Sequence, residues 1–158
     1  LPICGLMLAW VCDLIIAADN AYFADPVLAM NIPGVEYFAH PFELHPRIAK
    51  EFLFLGEKMG VERAHQMGMV NRIVPLADLE SATMAVAARL AKQPRLGLAL
   101  AKQAINHVED LQGKRTAMDA VFHMHHFAHA QNSLASPDHL AGQDARTMAA
   151  GNREKGGQ

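Results

Sequence analysis

The stretch from Gly5 to Gly34 constrains the fold more than any other part of the chain. Its first part, up to Val11, is apolar on every side, which predicts a buried helix. Leu14 to Ala18 is a short continuous apolar run, typical of a strand covered on both faces. A turn at Asp19-Asn20 and a second short strand at Tyr22-Phe23 come next, before a loop rich in proline and glycine. This order of elements predicts a compact unit that can build a site.

The same stretch resembles a motif of the crotonase (enoyl-CoA hydratase/isomerase) family. The matching positions are Gly5, Leu8, Ala9, Cys12, Asp13, Ala17, Ala21, Phe23, Pro26 and Ile32-Pro33-Gly34. A second block, from Gly60 to Pro75, resembles the family segment in which an alanine-containing helix leads through a glycine into a short strand. The resemblance covers nearly the whole chain but only the C-terminal part of the family's domain. It implies an α/β fold, in which part of a ββα spiral is followed by helices.

The resemblance and the apolar spacing divide the chain into three parts. Residues 1–75 are expected to form the C-terminal part of the spiral core, residues 76–150 a helical trimerisation or lid region, and residues 151–158 a flexible tail. Within the core, the pattern predicts short helices at residues 49–55 and 61–67 and a strand at residues 70–74. In the helical region it predicts four helices, at residues 76–92, 95–107, 110–129 and 136–150.

Composition bounds the class of protein. Of the 158 residues, 51% are apolar and 19% are charged, which predicts one globular domain. The formal net charge of −2 argues against nucleic-acid binding, and the apolar opening run is too short for a membrane span. Cys4 and Cys12 give no disulfide framework, so a reducing cytoplasm is the simpler prediction.

The chain has no initiating methionine, and it starts almost at the helix that borders the active site in the family. Because family members are considerably longer, we expect this chain to be the C-terminal portion of a protein whose N-terminal half supplies the rest of the site. In the family the trailing helices cover the spiral and reach neighbouring subunits. The resemblance therefore implies a homotrimer, or a hexamer built from two trimers.

The family's shared device is an oxyanion hole that binds the thioester oxygen of an acyl-CoA as it becomes an enolate. The resemblance implies that one of its two backbone donors is the N–H of Cys4, at the head of the first helix. The other donor belongs to an earlier segment of the family's domain. Coenzyme A arrives as part of the substrate, so the resemblance implies no separate cofactor. The alternative for Cys4 is a packed helix N-terminus with no ligand.

Hydratases of the family use two glutamates to position a water molecule and move its protons. By the register of the resemblance, those positions are occupied here by Met7 and Val27, and neither side chain can transfer a proton. Both are expected to border the substrate. This departure argues against the usual two-glutamate hydration mechanism.

Glu36, shortly after Ile32-Pro33-Gly34, is the candidate replacement base. The alternative is a loop glutamate that is solvated or paired with Arg47. Tyr37 and His40, on the same segment, are candidates for substrate contact, although histidines there are more often packing residues. Asp25 is a weaker candidate base, because an aspartate before proline commonly caps a turn.

Four histidines, His123, His125, His126 and His129, are spaced so that pairs share a helix face. No neighbouring cysteine or carboxylate completes a ligand set in the sequence, so we predict no metal and interpret the cluster as a polar subunit-contact face. Asp13 is expected to accept backbone N–H bonds where the first helix turns into the strand.

Two functions remain open. The first is an enoyl-CoA hydratase/isomerase-like enzyme of fatty-acid or acyl-CoA metabolism that stabilises an enolate. The second is a family member that binds acyl-CoA, or acts as a scaffold, without catalysis. Turnover of an enoyl-CoA separates the two.

Overall fold

Helices dominate the computed structural model, which describes residues 4–136 and positions 142, 144 and 147. The described residues form seven α-helices: α1 (Cys4–Trp10), α2 (His40–Glu43), α3 (Pro46–Leu55), α4 (Val61–Gln66), α5 (Leu79–Ala91), α6 (Arg95–Leu111) and α7 (Lys114–Ala135). They also form four short strands: β1 (Ile16–Ala18), β2 (Tyr22–Phe23), β3 (Met59–Gly60) and β4 (Arg72–Val74). Two 3₁₀ turns complete the set, at Val27–Met30 and Leu76–Asp78.

The strands pair across the two sequence blocks. β1 runs parallel to β4, with Ile16 opposite Arg72 and Ala18 opposite Val74. β2 runs antiparallel to β3, with Phe23 opposite Met59. These pairings place β3 and β4, which belong to the second sequence block or border it, beside the two strands of the first block. The α/β arrangement, with helices after the strands, agrees with the expected fold class.

The main core lies between α1, α3, α4 and the strands. Leu6 and Trp10 are four residues apart on α1, so both point to one face, and both are buried. The other buried members of this cluster are Ala17, Phe23, Ala39, Leu44, Ala49, Phe52, Met59, Val61, Ala64, Met69 and Val70. Members from both blocks pack together, so the first block depends on the second for its burial.

Helix ends in the core follow the local sequence. α3 begins at Pro46, earlier than the predicted Ala49, because proline is well tolerated in the first turn of a helix. It ends at Gly56, whose φ of 60° is the left-handed conformation that favours glycine. α4 ends at Gln66 with Met67 as its cap residue, and Gly68 follows with a φ of 84°, which confirms the predicted helix stop.

The helical region differs from prediction mainly in its boundaries. The first predicted helix divides into the Leu76–Asp78 turn and α5, and α6 continues to Leu111. Gly113, with a φ of 94°, delays α7 until Lys114. The predicted last helix and tail, residues 136–150 and 151–158, lie largely outside the described residues.

α5 and α6 present much apolar surface to solvent. Neither helix has a buried residue. Large exposed side chains on α5 to α7 include Met84, Leu96, Leu98, Leu100, Ile105, Val108, Leu111, Phe122, Met124, Phe127 and Leu134. An apolar surface of this extent is typical of a protein–protein contact.

Candidate functional site

One face of α7 lies over the loop that follows β2. The buried residues His125 and Asn132 are seven positions apart, and Ala128 and His129 lie between them at the same helical spacing. This stripe covers the segment from Val27 to Glu36. The interpretation of the histidine cluster as a polar subunit-contact face is therefore wrong for His125, which turns inward, and stays a prediction for the exposed His123 and His126.

Asn132 ties α7 to the end of the 3₁₀ turn. Its Nδ2 donates to the carbonyl oxygen of Met30 at 2.9 Å, and its Oδ1 accepts from Nδ2 of Asn31 at 2.8 Å. Asn31 has a φ of 59°, a left-handed conformation that asparagine tolerates better than most residues. These contacts fix the register of the helix against the loop.

An apolar cluster lies beneath this contact. Val27, Ile32 and Val35 are buried in it, and Met7, Met30 and Ala128 pack against them. Met7 and Val27, the two residues expected at the positions of the hydratase glutamates, are thus members of one cluster. The structure brings these two predicted substrate-contact residues together in hydrocarbon surroundings.

Cys4 is the first residue of α1, and its side chain is exposed. Met7 lies one turn further along the same helix. The Cys4 amide therefore lies one helical turn before Met7, a member of the Met7–Val27 cluster.

Glu36 lies at the edge of the cluster, directly after the buried Val35. Its side chain is 52% exposed, and Oε1 lies 3.4 Å from Nε2 of His125. The partner that the structure gives Glu36 is thus a histidine of α7, and not the Arg47 considered as an alternative. A carboxylate beside an apolar cluster and close to a buried imidazole can accept a proton from a substrate.

His125 is 6% exposed and is held at both ring nitrogens. Nδ1 lies 2.9 Å from the carbonyl oxygen of Gly34, and Nε2 lies 3.0 Å from Nε2 of His129. A carbonyl only accepts hydrogen bonds, so Nδ1 of His125 must carry a proton. Gly34 has little room for a side chain, since a Cβ there would lie 2.5 Å from the Phe38 ring.

His40 occupies a different environment from the one predicted. It is fully buried, and its Nε2 lies 2.8 Å from Oδ2 of the equally buried Asp25. The Trp10, Phe38 and Phe52 rings surround its imidazole. Such burial argues for a structural role for Asp25 and His40, and against direct contact of either with a substrate.

Tyr37 is half-buried and packs against the main core. It also lines a cavity of about 380 Å³ between the end of α1, α6 and the start of α7. Charged residues around this cavity pair with one another, including Lys102 with Asp13 at 2.6 Å and Lys114 with Glu109 at 3.0 Å. The expectation that Asp13 accepts backbone N–H bonds is therefore corrected, because the contact shown for its carboxylate is the ammonium of Lys102.

Burial and neighbouring charges shift the pKa values of two groups at this cavity. Burial raises the pKa of Glu43 above its ordinary value of 4.5, although Lys114 opposes the change. Burial alone would lower the pKa of Lys114, but its hydrogen bond to Glu109 and the nearby negative charges raise it. The ionised Glu43 carboxylate therefore destabilises the fold at neutral pH. Glu109 instead stabilises the charged form of Lys114.

Replacing Glu43 with glutamine tests this difference. A carboxyl whose pKa is raised by folding stabilises the fold when protonated, and this contribution is lost as pH rises through the folded-state value. We expect Glu43→Gln to leave stability unchanged below pH 4.5. At pH 7 we expect a gain of less than about 1 kcal/mol in the free energy of unfolding, because the carboxylate is partly exposed.

Urea unfolding of the wild type and the variant at both pH values measures the effect. Glu109→Gln is the matched control, and it should have the opposite sign at pH 7 because it removes the negative charge that pairs with the Lys114 ammonium at 3.0 Å. A loss of stability in both variants at pH 7 would contradict the assignment of Glu43 as a destabilising carboxylate.

Two other kinds of site receive no support in the described part of the chain. No group of three or more His, Cys, Asp or Glu residues there is arranged to hold a metal ion. Among the described helices, none combines the length and apolar character needed to cross a bilayer.

Comparisons with known proteins agree with this architecture. The family model described as enoyl-CoA hydratase/isomerase matches residues 2–140. EchA13 of Mycobacterium tuberculosis, provisionally named an enoyl-CoA hydratase, is 42% identical over 127 residues, which are 80% of this chain and 40% of that protein. A crotonyl-CoA hydratase of Syntrophomonas wolfei is 31% identical over 117 residues, which are 73% of this chain and 43% of the relative.

A solved structure gives the same result. The crystal structure of a probable enoyl-CoA hydratase from Mycobacterium thermoresistibile is 46% identical, with a TM-score of 0.85, over 88% of this chain and 56% of that one. The fold, together with the candidate site formed by α1 and the segment from Val27 to Glu36, defines a crotonase-type protein. The chain belongs to the enoyl-CoA hydratase/isomerase family. It spans less than half the length of the two curated relatives described above.

Proposed function

We propose that the protein acts on an acyl-CoA thioester by stabilising an enolate, with Glu36 as the base. The observation that carries the proposal is the position of Glu36. It follows the buried Val35 at the edge of the Met7–Val27 cluster, and its Oε1 lies 3.4 Å from Nε2 of the buried His125. Family membership supports the substrate class.

The proposed reaction is a proton transfer next to the thioester carbonyl, as in moving a carbon–carbon double bond. Glu36 removes a proton from the acyl chain, and the electron pair moves onto the thioester oxygen. The Cys4 amide donates to that oxygen, as one of the two donors of an oxyanion hole. The resemblance puts Met7 and Val27 at the positions of the two hydratase glutamates, and we therefore propose that the protein does not hydrate its substrate by that route.

The remaining substrate contacts follow from the same cluster. We propose that Met7 and Val27 line the acyl group, because their side chains are apolar and share one cluster. Tyr37 remains a predicted contact, next to Glu36 in the chain. His40 would support the site from within the core and not touch the substrate. Coenzyme A is part of the substrate, and the proposed reaction needs no other cofactor.

Two acyl-CoA substrates test this function with the complete gene product. An enolate-forming isomerase converts 3-butenoyl-CoA to its conjugated isomer, so the absorbance of the conjugated enoyl thioester rises. A two-glutamate hydratase instead consumes crotonyl-CoA, and this absorbance falls. We expect the first result. Loss of crotonyl-CoA with no action on 3-butenoyl-CoA would contradict the proposal.

The rival is a protein that binds acyl-CoA without turning it over. What favours it is the apolar character of Met7 and Val27, which share one apolar cluster and cannot transfer a proton. Calorimetric titration with butyryl-CoA, followed by both turnover assays, separates it from the enzyme. Binding without either reaction would establish the rival and remove Glu36 from any catalytic role.

We also propose an assembly of three or six copies in the cytoplasm. The exposed apolar residues of α5 to α7 support such an assembly, because their surface needs a cover. Both cysteines are free, which suits a reducing compartment. Analytical ultracentrifugation of the complete gene product and cell fractionation test these two statements, and a monomer would contradict the first.

A further inference from the structure

The apolar cluster beneath α7 has a buried part and an accessible part. The buried part consists of three side chains that are each exposed by 5% or less, namely Val27, Ile32 and Val35. Met7, Met30 and Ala128 pack against them and are only partly buried. These last three side chains therefore supply most of the cluster surface that a ligand can contact.

The three accessible side chains come from three separate elements. Met7 belongs to α1, Met30 ends the 3₁₀ turn, and Ala128 lies on α7. Each methionine contributes a flexible thioether chain that adapts to the shape of an apolar partner, whereas the alanine contributes one methyl group. Because Ala128 is the smallest of the three, the space beside the cluster depends most on which side chain α7 carries at this position.

Hydrogen bonds on both sides of Ala128 fix its position. Three residues earlier, Nδ1 of His125 lies 2.9 Å from the carbonyl oxygen of Gly34. Four residues later, Nδ2 of Asn132 donates to the carbonyl oxygen of Met30 at 2.9 Å. The backbone of α7 is thus held to the loop at both points. A larger side chain at position 128 would therefore have to occupy the space beside the cluster.

The same helix relates this surface to the candidate base. Oε1 of Glu36 lies 3.4 Å from Nε2 of His125. At a rise of 1.5 Å per residue, Ala128 lies about 4.5 Å beyond His125 along the helix axis, and Asn132 about 10 Å beyond it. An acyl chain that starts at Glu36 and follows the apolar surface would pass Ala128 a few carbon atoms further on.

We propose that Ala128, together with Met7 and Met30, forms one wall of a groove for the acyl chain, and that its small size admits linear chains longer than a butyryl group. This inference rests on the proposed function for its ligand, an acyl-CoA. It goes further by naming the substrate class, a linear acyl-CoA of medium chain length, and the residue that determines this specificity.

Two features favour an acyl chain as the occupant of the groove. The surface is apolar and belongs to the same cluster as Met7 and Val27, which the proposed function assigns to the acyl group. Beyond Ala128, the buried stripe of α7 ends at the amide of Asn132, which bonds to Met30 and Asn31. An apolar surface with a polar boundary suits a chain of limited length, because a longer chain would have to leave the groove.

Binding of two saturated ligands measures chain-length preference without requiring turnover. Calorimetric titration of the complete gene product with butyryl-CoA and octanoyl-CoA gives the ratio of their dissociation constants. In the wild type we expect octanoyl-CoA to bind several-fold more tightly, because its additional methylene groups contact Met30 and Ala128. Octanoyl-CoA that binds no more tightly than butyryl-CoA would contradict the inference.

Ala128→Leu is the primary variant because it fills the groove with an apolar side chain. We expect it to weaken octanoyl-CoA about tenfold relative to butyryl-CoA, the loss that follows when about two methylene groups lose their contacts. Ala130→Leu is the matched control, since it adds the same side chain at an exposed position of α7 and should leave the ratio unchanged. A wild-type ratio in Ala128→Leu would overturn the inference.

Close packing of α7 against the loop is the alternative reason for a small residue at position 128. In that case Ala128→Leu loosens the helix and weakens both ligands equally, so the ratio stays at its wild-type value. The same result follows if another part of the gene product covers this surface. Ala128→Val adds less volume and keeps the test valid if Ala128→Leu does not fold. We expect a several-fold shift in the same direction, and an unchanged ratio in this variant also rejects the groove.

Turnover separates the groove from the proposed reaction. If the wild type isomerises 3-butenoyl-CoA and 3-octenoyl-CoA, the ratio of their kcat/KM values should shift in Ala128→Leu as the binding ratio does. If neither is isomerised but the binding ratio shifts as expected, the reaction is wrong and the groove stands. If both are isomerised and neither ratio shifts, the reaction stands and the groove is wrong. A wild type that binds neither saturated ligand overturns both proposals.

Discussion

Replacing Glu36 with glutamine is expected to lower turnover of 3-butenoyl-CoA about 10²- to 10⁴-fold, the usual contribution of a positioned general base. Glutamine has nearly the same shape and can still reach His125, but it cannot hold the abstracted proton. Because the apolar cluster and the Cys4 amide are unchanged, acyl-CoA affinity should stay within about twofold of the wild type. Steady-state kinetics and calorimetric titration with butyryl-CoA measure the two quantities.

Glu62→Gln is the matched control, since it removes an exposed glutamate of α4 far from α7. It should change neither turnover nor affinity. If Glu36→Gln instead weakens binding and leaves kcat intact, the carboxylate contributes to binding the substrate and another group is the base. If both quantities are unchanged, Glu36 has no part in the reaction.

The fold was largely predictable from local sequence because most elements have local causes. The apolar run before Asp19 predicts β1, and Gly68 predicts the end of α4, where only a residue that accepts a positive φ fits easily. β3 was not predicted, since Met59–Gly60 has no strand pattern of its own and is ordered by pairing with β2. Helix starts were wrong by a few residues at Pro46 and Lys114, where proline and glycine decide the boundary.

The site was less predictable because its contacts join distant parts of the chain. Glu36 could be selected from its neighbours, but its partner His125 is not near it in sequence, and His125 lies 91 positions from Gly34. The signal that was available is the spacing of His125, Ala128, His129 and Asn132, which places all four on one face of a helix. Sequence alone does not show that this face covers the loop containing Glu36.

His40 shows the opposite error, in which a reactive side chain was assigned to the site but belongs to the core. Its imidazole is enclosed by aromatic rings, and it forms a buried pair with Asp25. Oδ1 of Asp25 also accepts from the backbone N–H of Val27 at 3.4 Å. This pair therefore fixes the start of the 3₁₀ turn that carries Val27 into the candidate site.

Replacing His40 with phenylalanine is expected to lower the free energy of unfolding by about 3–5 kcal/mol, the usual cost of leaving a buried carboxylate without its partner. Phenylalanine suits the aromatic surroundings, so the loss comes from the Asp25 carboxylate left without its partner. Urea unfolding at one fixed protein concentration measures the effect, with the denaturant slope used to check that the transition is comparable.

A double substitution tests whether the unpaired Asp25 carboxylate causes the loss of stability. Adding Asp25→Leu to His40→Phe should restore part of the lost stability, because no buried charge then remains, although the Val27 amide loses its acceptor. Asp13→Ala is the contrasting control. It breaks the shorter contact to Lys102, at 2.6 Å, but both side chains are more than half exposed, so the expected loss is less than about 1 kcal/mol. Equal losses in Asp13→Ala and His40→Phe would mean that burial does not set the strength of the Asp25–His40 pair.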